Sequence, residues 1–323
     1  MNEEKEKDNK LKKLNAGGDN RNLADDGNNR HYWYSIIDIM TLLLHTRQGV
    51  LQYNNQVVPG EEFLAIRQNQ NGIFLTDPYH TANFTEYFND DISRILGNHP
   101  EDTQNNHVWD IMPRLIVIPL LSGMHWRTIA IQINYEIYTI DIVWDDPYGK
   151  FPEQLKQNLL ESIKINILKL FNSNNQLINM GENVDSLIET DINILQHNNE
   201  IDQQGQGQNG WDCGPITVSN IRDYIVHYAH YNNNLTGIDY TVSDYNTENH
   251  ENTIKDIRIN HMKQYGTVTG IGIDEERLND IRLIWEKNNK AQLEQIDKKF
   301  DKEISQLDDF YLSIFFSVLK NYQ

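Results

Sequence analysis

Residues 114 to 149 carry three strand patterns in immediate succession, and this block restricts the fold more than any other part of the chain. RLIVIPLL, residues 114 to 121, is a continuous apolar run that ends in a Ser-Gly turn. Its length and Pro119 suit a buried strand better than a helix. In the following HWRTIAIQI, Ile129, Ile131 and Ile133 alternate with Thr128, Ala130 and Gln132, the period of two that a pleated strand imposes on its side chains. After an Asn134-Tyr135 turn, EIYTIDIVW reads as the hairpin partner and runs into Asp145-Asp146-Pro147-Tyr148-Gly149, a turn in which proline presets one backbone angle and glycine permits the reversal.

Helical periods surround this block. HYWYSIIDIMTLLL places Trp33, Ile36, Ile37, Ile39, Met40 and Leu43 at near-helical spacing behind a Ser35 cap. Residues 153 to 171 align Leu155, Leu159, Ile163, Ile167 and Leu170 on one helix face, and INILQ at 192 to 196 is a further short strand. ITVSNIRDYIVHYAHY, 216 to 231, carries Ile216, Ile221, Ile225 and Tyr228 at helical spacing, so a helix begins just after Cys213. Residues 240 to 272 are polar without a clear period, and 274 to 320 read as two charged amphipathic helices ending in FYLSIFFSVL. Residues 1 to 30 are charged, rich in Gly and Asn, and too poor in apolar side chains to offset the entropy of ordering. The expected organisation is a disordered tail over 1–30, an α+β domain over 31–245, and a helical extension over 246–323 that docks onto this domain or onto a partner.

The chain has one cysteine in 323 residues, so there is no disulfide framework and Cys213 acts, if at all, as a thiol. A formal charge of −19 repels phosphate backbones, which argues against nucleic acid as a partner. No apolar run is long enough to span a bilayer, and the N-terminus lacks the apolar core of a secretory signal.

Cys213 sits in QGQNGWDCGP at the expected helix N-terminus, where unpaired N–H groups and the helix dipole favour a thiolate and are expected to lower its pKa. Such a nucleophile needs a base and a group to orient that base. His125 directly precedes the best-patterned strand, with Trp126 beside it, and Asp145 and Asp146 end the partner strand. Hairpin partners are adjacent, so the start of one and the end of the other lie side by side, and His125 can meet either aspartate. The Cys213 amide and a side-chain amide from Gln206 or Gln208 can face an oxyanion. A lone cysteine before Gly-Pro is more often an inert one; the four residue types together favour chemistry. His227 and His230 lack a third ligand nearby, GTVTGIG does not follow a strand, and no metal or cofactor is assigned.

In this order, His125-Trp126, Asp146 before a turn ending in Gly149, and Gln206-x-x-Asn209-Gly210-x-Asp212-Cys213-Gly214 resemble the catalytic set of the clan CE cysteine proteases, the Ulp1-like SUMO proteases and adenain. WYSIIDIMTLLL resembles the first helix of that family, RLIVIPLLSGMHW resembles the strand leading into its His-Trp, and the resemblance covers residues 32 to 235. It implies a papain-like, Ulp1-like fold with a small mixed sheet flanked by helices. It implies Cys213 as nucleophile, His125 as base and acid, Asp146 as orienting carboxylate with Asp145 as the alternative, and Gln206 as oxyanion donor with Gln208 as the alternative. Trp126 and Trp211 would cover a channel that admits only a Gly-Gly tail.

The implied activity is removal of ubiquitin or a ubiquitin-like modifier after its C-terminal Gly-Gly. The abundance of Asn, Ile and Lys reads as the codon bias of an AT-rich genome, and together with the tail-like N-terminus it resembles a bacterial effector delivered to a host cytosol by a non-Sec route. Bacterial relatives of this kind mostly act on ubiquitin, so a monomeric deubiquitinase is the first expectation and a SUMO- or NEDD8-specific protease the second. A YopJ-like acetyltransferase is disfavoured by Asp146 where that branch has Glu. A non-catalytic ubiquitin-binding module is disfavoured by the complete catalytic set.

Overall fold

The computed structural model describes residues 23, 31–53, 72–96, 112–178, 187–205, 209–230, 235, 237–270, 276–283 and 285. The chain divides into two units, Met1–Gly272 and Ile273–Gln323.

In the first unit, six strands make one mixed sheet: β1 (Ile73–Leu75), β2 (Tyr79–His80), β3 (Leu115–Ser122), β4 (His125–Asn134), β5 (Thr139–Asp145) and β6 (Asn193–Asn198). The three patterned strands pair antiparallel in sequence order. β1 and β2 both add parallel to β3, and β6 adds parallel to β5. The α+β class and the central mixed sheet flanked by helices are therefore as the sequence indicates.

The period of two sorts the sheet into faces. Ile129, Ile131 and Ile133 join Ile116, Ile118, Ile140, Ile142 and Trp144 in one buried cluster with Phe84, Phe88 and Ile92 of α2 (Phe84–Ile95) and Leu159, Ile163, Ile167 and Leu170 of α3 (Glu153–Ile178). Each such side chain, fully buried, contributes about 1.5–3 kcal/mol relative to exposure. α4 (Cys213–His230) lies on β4 and β3, and its Asn220 reaches Asp145, which points away from the face of Trp144. Behind α4, α1 (Ile36–Tyr53) and α5 (His250–Thr269) pack on it and on each other.

Two expectations change at the N-terminus. The Ser35 cap is present: Ser35 Oγ accepts from Asp38 N at 3.2 Å while Asp38 Oδ2 accepts from Ser35 N at 2.8 Å, a reciprocal box. However, Ile36, Ile37 and Met40 are exposed, and Ile39, Leu42 and Leu43 form the buried face. Asp38 sets this rotation, because it is buried and also accepts from Tyr32 Oη at 2.6 Å and from Leu23 N at 2.8 Å. Leu23, which composition assigns to the tail, is itself buried.

α5 occupies the stretch whose sequence shows no period. Its buried side includes Ile254, Ile259 and Met262 but also His250, Arg258 and His261, and these polar residues mask the apolar repeat. In the second unit, residues 276–283 are helical; the second expected C-terminal helix and FYLSIFFSVL lie outside the described residues. Among the described residues no helix is long and apolar enough to cross a membrane.

Candidate active site

His125 opens β4 and Asp146 follows the last residue of β5. Thr128 pairs with Asp145 across the ladder, so alternation puts Arg127 and His125 on the face of Asp146. His125 Nε2 lies 2.6 Å from Asp146 Oδ1, and Arg127 Nε donates to Asp146 Oδ2 at 2.6 Å. Tyr148 N completes the carboxylate shell by donating to Asp146 Oδ1 at 2.9 Å, and Gly149 N closes the turn by donating to the Asp146 backbone carbonyl at 2.7 Å. Gly149 has φ +74°, and a Cβ there would stand 3.0 Å from Glu200 O and Asp202 N, so the turn admits glycine alone without strain. The Tyr148 ring stacks on His125 with centroids 4.2 Å apart and planes 4° apart.

Cys213 is the first residue of α4 and is buried. The backbone N–H of Trp126, the residue after His125, faces its sulfur, with the Trp33 indole beside it. The start of β4 and the start of α4 thus meet at the thiol.

The three titrating groups differ in their physical setting. Burial alone would raise Asp146, but the His125 hydrogen bond, the charges of His125 and Arg127 and the Tyr148 N–H hold it below its ordinary value. Burial pushes Asp145 up to about 6 in spite of hydrogen bonds from Asn199 and Asn220, and the charge of Asp146 adds to the rise. Those amides bind it at 2.8 Å and 2.9 Å, so Asp145, the alternative orienting carboxylate, is directed at α4 and the loop after β6 rather than at His125.

Burial also pushes the Cys213 thiol up to about 11, which corrects the expectation that the helix N-terminus lowers it. The Trp126 N–H favours the thiolate, the Asp212 charge opposes it, and the Gly214 N–H adds a small favourable contribution, but loss of water outweighs them. The resting sulfur is a thiol that needs a base.

Gln206 and Gln208 lie outside the described residues. Just before them, Gln203 Nε2 donates to Asn220 Oδ1 at 3.1 Å and Val242 O at 2.7 Å, and Gln204 Nε2 donates to Asn209 O at 2.5 Å. Trp126 is fully buried, donates Nε1 to Tyr34 O at 2.9 Å, and stacks with Trp33 at 6.1 Å. Trp211 is half-buried against the His31 ring at 4.0 Å. Sequence reasoning missed Arg127, Tyr148 and Trp33. Arg127 was findable, because it stands two residues after His125 and so on the same strand face. Among the described residues no group of three His, Cys, Asp or Glu side chains is placed to hold a metal.

No protein-family model and no curated protein sequence matches the chain. Solved structures with a similar backbone include a de-sumoylating protease, 13% identical, with 80% of this chain and 92% of that one covered at a TM-score of 0.42. They also include the catalytic domain of the Chaetomium thermophilum Ulp1-like SUMO protease, 15% identical, with 78% of each chain covered at 0.42. The Legionella pneumophila effector RavZ is 12% identical, with 82% and 75% covered at 0.40.

Proposed function

We propose that the chain is a cysteine isopeptidase that cleaves after the C-terminal Gly-Gly of ubiquitin or a ubiquitin-like modifier, with Cys213 as nucleophile, His125 as base and acid, and Asp146 as orienting carboxylate. The observation that carries this reading is the 2.6 Å His125–Asp146 pair, built where the Trp126 N–H meets the Cys213 sulfur. Asp146 engages Nε2 of the imidazole, which leaves Nδ1 to take the thiol proton. With the thiol pushed up to about 11, the thiolate forms as the sulfur attacks the glycine carbonyl and His125 takes the proton. His125 then gives that proton to the departing lysine amine. Water, activated by the same imidazole, hydrolyses the thioester and regenerates the thiol. The Cys213 backbone N–H and an amide from the glutamine-rich segment, Gln206 first and Gln208 second, are the oxyanion donors in this scheme. Trp33 and Trp211, both half-buried, would wall the channel for the Gly-Gly tail, with the fully buried Trp126 stacked behind Trp33.

Ubiquitin is the preferred modifier, because a chain of net charge −19 is complementary to a tail with arginines before its Gly-Gly. The composition and the sequence resemblance to bacterial effectors support action in a host cytosol, on conjugates rather than on nucleic acid. The test uses C-terminal electrophile probes of ubiquitin, NEDD8 and SUMO. The ubiquitin probe should modify Cys213, and Cys213→Ala should lose modification while retaining ubiquitin binding. Labelling by the SUMO probe alone would transfer the activity to that modifier. A folded protein that no probe labels would defeat the protease reading.

A further inference from the structure

We infer that Arg258, on α5, is a positioning residue that holds the nucleophile in register with the base; the inference deepens the protease reading and rests on it. The guanidinium is buried, and all of its nitrogens are committed. Nε and Nη2 stand 2.8 Å and 2.6 Å from Asp212 Oδ1, Nη2 also donates to Trp211 O at 2.9 Å, and Nη1 donates to Tyr32 O at 2.9 Å. Its carbon lies 5.2 Å over the Tyr34 ring. One side chain therefore ties the two residues before Cys213 to the segment that carries Trp33.

The tie is continued on both sides. Asp212 Oδ2 accepts from Asn209 Nδ2, and Asn209 Oδ1 accepts from Trp211 N and Asp212 N at 3.2 Å each. Asp212 O then accepts from Ile216 N at 3.1 Å, the first helical bond of α4. After the nucleophile, Gly214 is pressed against Tyr34 so closely that a Cβ there would stand 2.6 Å from Tyr34 Cβ. The Tyr34 hydroxyl is 3.3 Å from Nδ1 of His261, nearly one turn beyond Arg258 on α5. Tyr34 O, in turn, takes the Trp126 indole. α5 thus braces the residues immediately before and after Cys213, and through Tyr34 it reaches the residue next to His125.

Arginine suits this position because two carbonyls and a carboxylate converge on it, and a rigid fork of donors can serve them together where a lysine serves one direction. Its charge has a second effect. The ionisable groups that act on the thiol are Tyr148 and Asp212, and Tyr148 stacks on His125, which has Asp146 and Arg127 behind it. The Asp212 carboxylate opposes a thiolate, and Arg258 neutralises it. Removing the guanidinium leaves a buried carboxylate beside the nucleophile, so thiolate formation should move to higher pH and the loop should lose its register.

The experiment compares the full chain with Arg258→Lys and Arg258→Met. It measures kcat and KM on a fluorogenic ubiquitin amide and, across pH, the alkylation rate of Cys213 by iodoacetamide, which is unambiguous because the chain has no other cysteine. Arg258→Met should lower kcat on the order of 100-fold with little change in KM, and Arg258→Lys on the order of 10-fold, the scale of a misplaced reacting group. In both, the rise of the alkylation rate should move to higher pH. If Arg258→Met does not fold, Arg258→Lys decides. Folded variants with wild-type kcat and an unmoved alkylation profile would overturn the inference while leaving the protease reading intact. A wild-type chain that cleaves no modifier, with alkylation still displaced in the variants, would do the reverse.

Discussion

Asp146 accepts from an imidazole, a guanidinium and a backbone N–H, whereas Asp145, one residue earlier, is held by the side-chain amides of Asn199 and Asn220. Both are almost wholly buried, so loss of water acts on both in the same direction. The imidazole hydrogen bond and the guanidinium on one strand face overcome it and the neutral amides on the other do not, which moves the two pKa values apart. Adjacent carboxylates at one strand end thereby acquire different tasks. The face on which each falls decides its role, and the register of β4 against β5 decides the face.

The largest test of this contrast is Asp146→Asn. The amide keeps the shape but can present an N–H where His125 needs an acceptor, so the imidazole loses its orientation. kcat should fall on the order of 1,000-fold or more, with KM nearly unchanged, as for the loss of an orienting carboxylate in other triads. Retained activity within a few-fold would mean that His125 is oriented by another group.

A smaller effect is expected from Arg127→Met. Arg127 does not face substrate in the proposed scheme; it holds Asp146 Oδ2, so its loss should lower kcat/KM on the order of 10-fold, in the range of a supporting contact to a catalytic ligand. The sign of the pH effect follows from Asp146 being held below its ordinary value. Its pairing stabilises the fold above the usual carboxylate range and is lost as pH falls through the depressed value. Without Arg127 that loss should begin at higher pH. Arg127→Lys should restore most of the rate and shift the acid limb back, an outcome that a purely packing role would not produce.

Much of this arrangement is legible in the sequence because β3 is a continuous apolar run, because β4 and β5 alternate isoleucines with a clear period, and because His125, Asp146 and Cys213 stand at the boundaries of strongly patterned elements. The choice between Asp145 and Asp146 needs the register, which pairs Thr128 with Asp145 and leaves Asp146 to the face of His125 and Arg127. α5 is illegible for a different reason. A helix whose inward positions mix His250, Arg258 and His261 with Ile254, Ile259 and Met262 shows no clear apolar stripe, and the partners that justify burying the polar ones, Asp212 and Tyr34 among them, are distant in sequence. The high thiol pKa is likewise a property of burial, which the local motif around Cys213 does not encode.

The smallest effect on activity belongs to Asp145→Asn, and its signature is in stability. Asp145 is raised from 3.8 to about 6, so the native state binds its proton more tightly than the unfolded chain does. Its contribution to stability is fully present below the unfolded value and is lost as pH rises through about 6. The full difference corresponds to roughly 3 kcal/mol at about 1.36 kcal/mol per unit. The substituted amide cannot titrate, although it exchanges one acceptor for a donor facing Asn199 or Asn220 and so carries a constant cost. Urea denaturation of both proteins at several pH values between about 4 and 7, the span around the raised value, should therefore show wild type losing its advantage, or becoming the less stable, as pH rises, while kcat stays within a few-fold. Equal slopes for the two proteins would place the raised titration elsewhere, and a large loss of kcat would show that the amide-bound face of the strand also serves the chemistry.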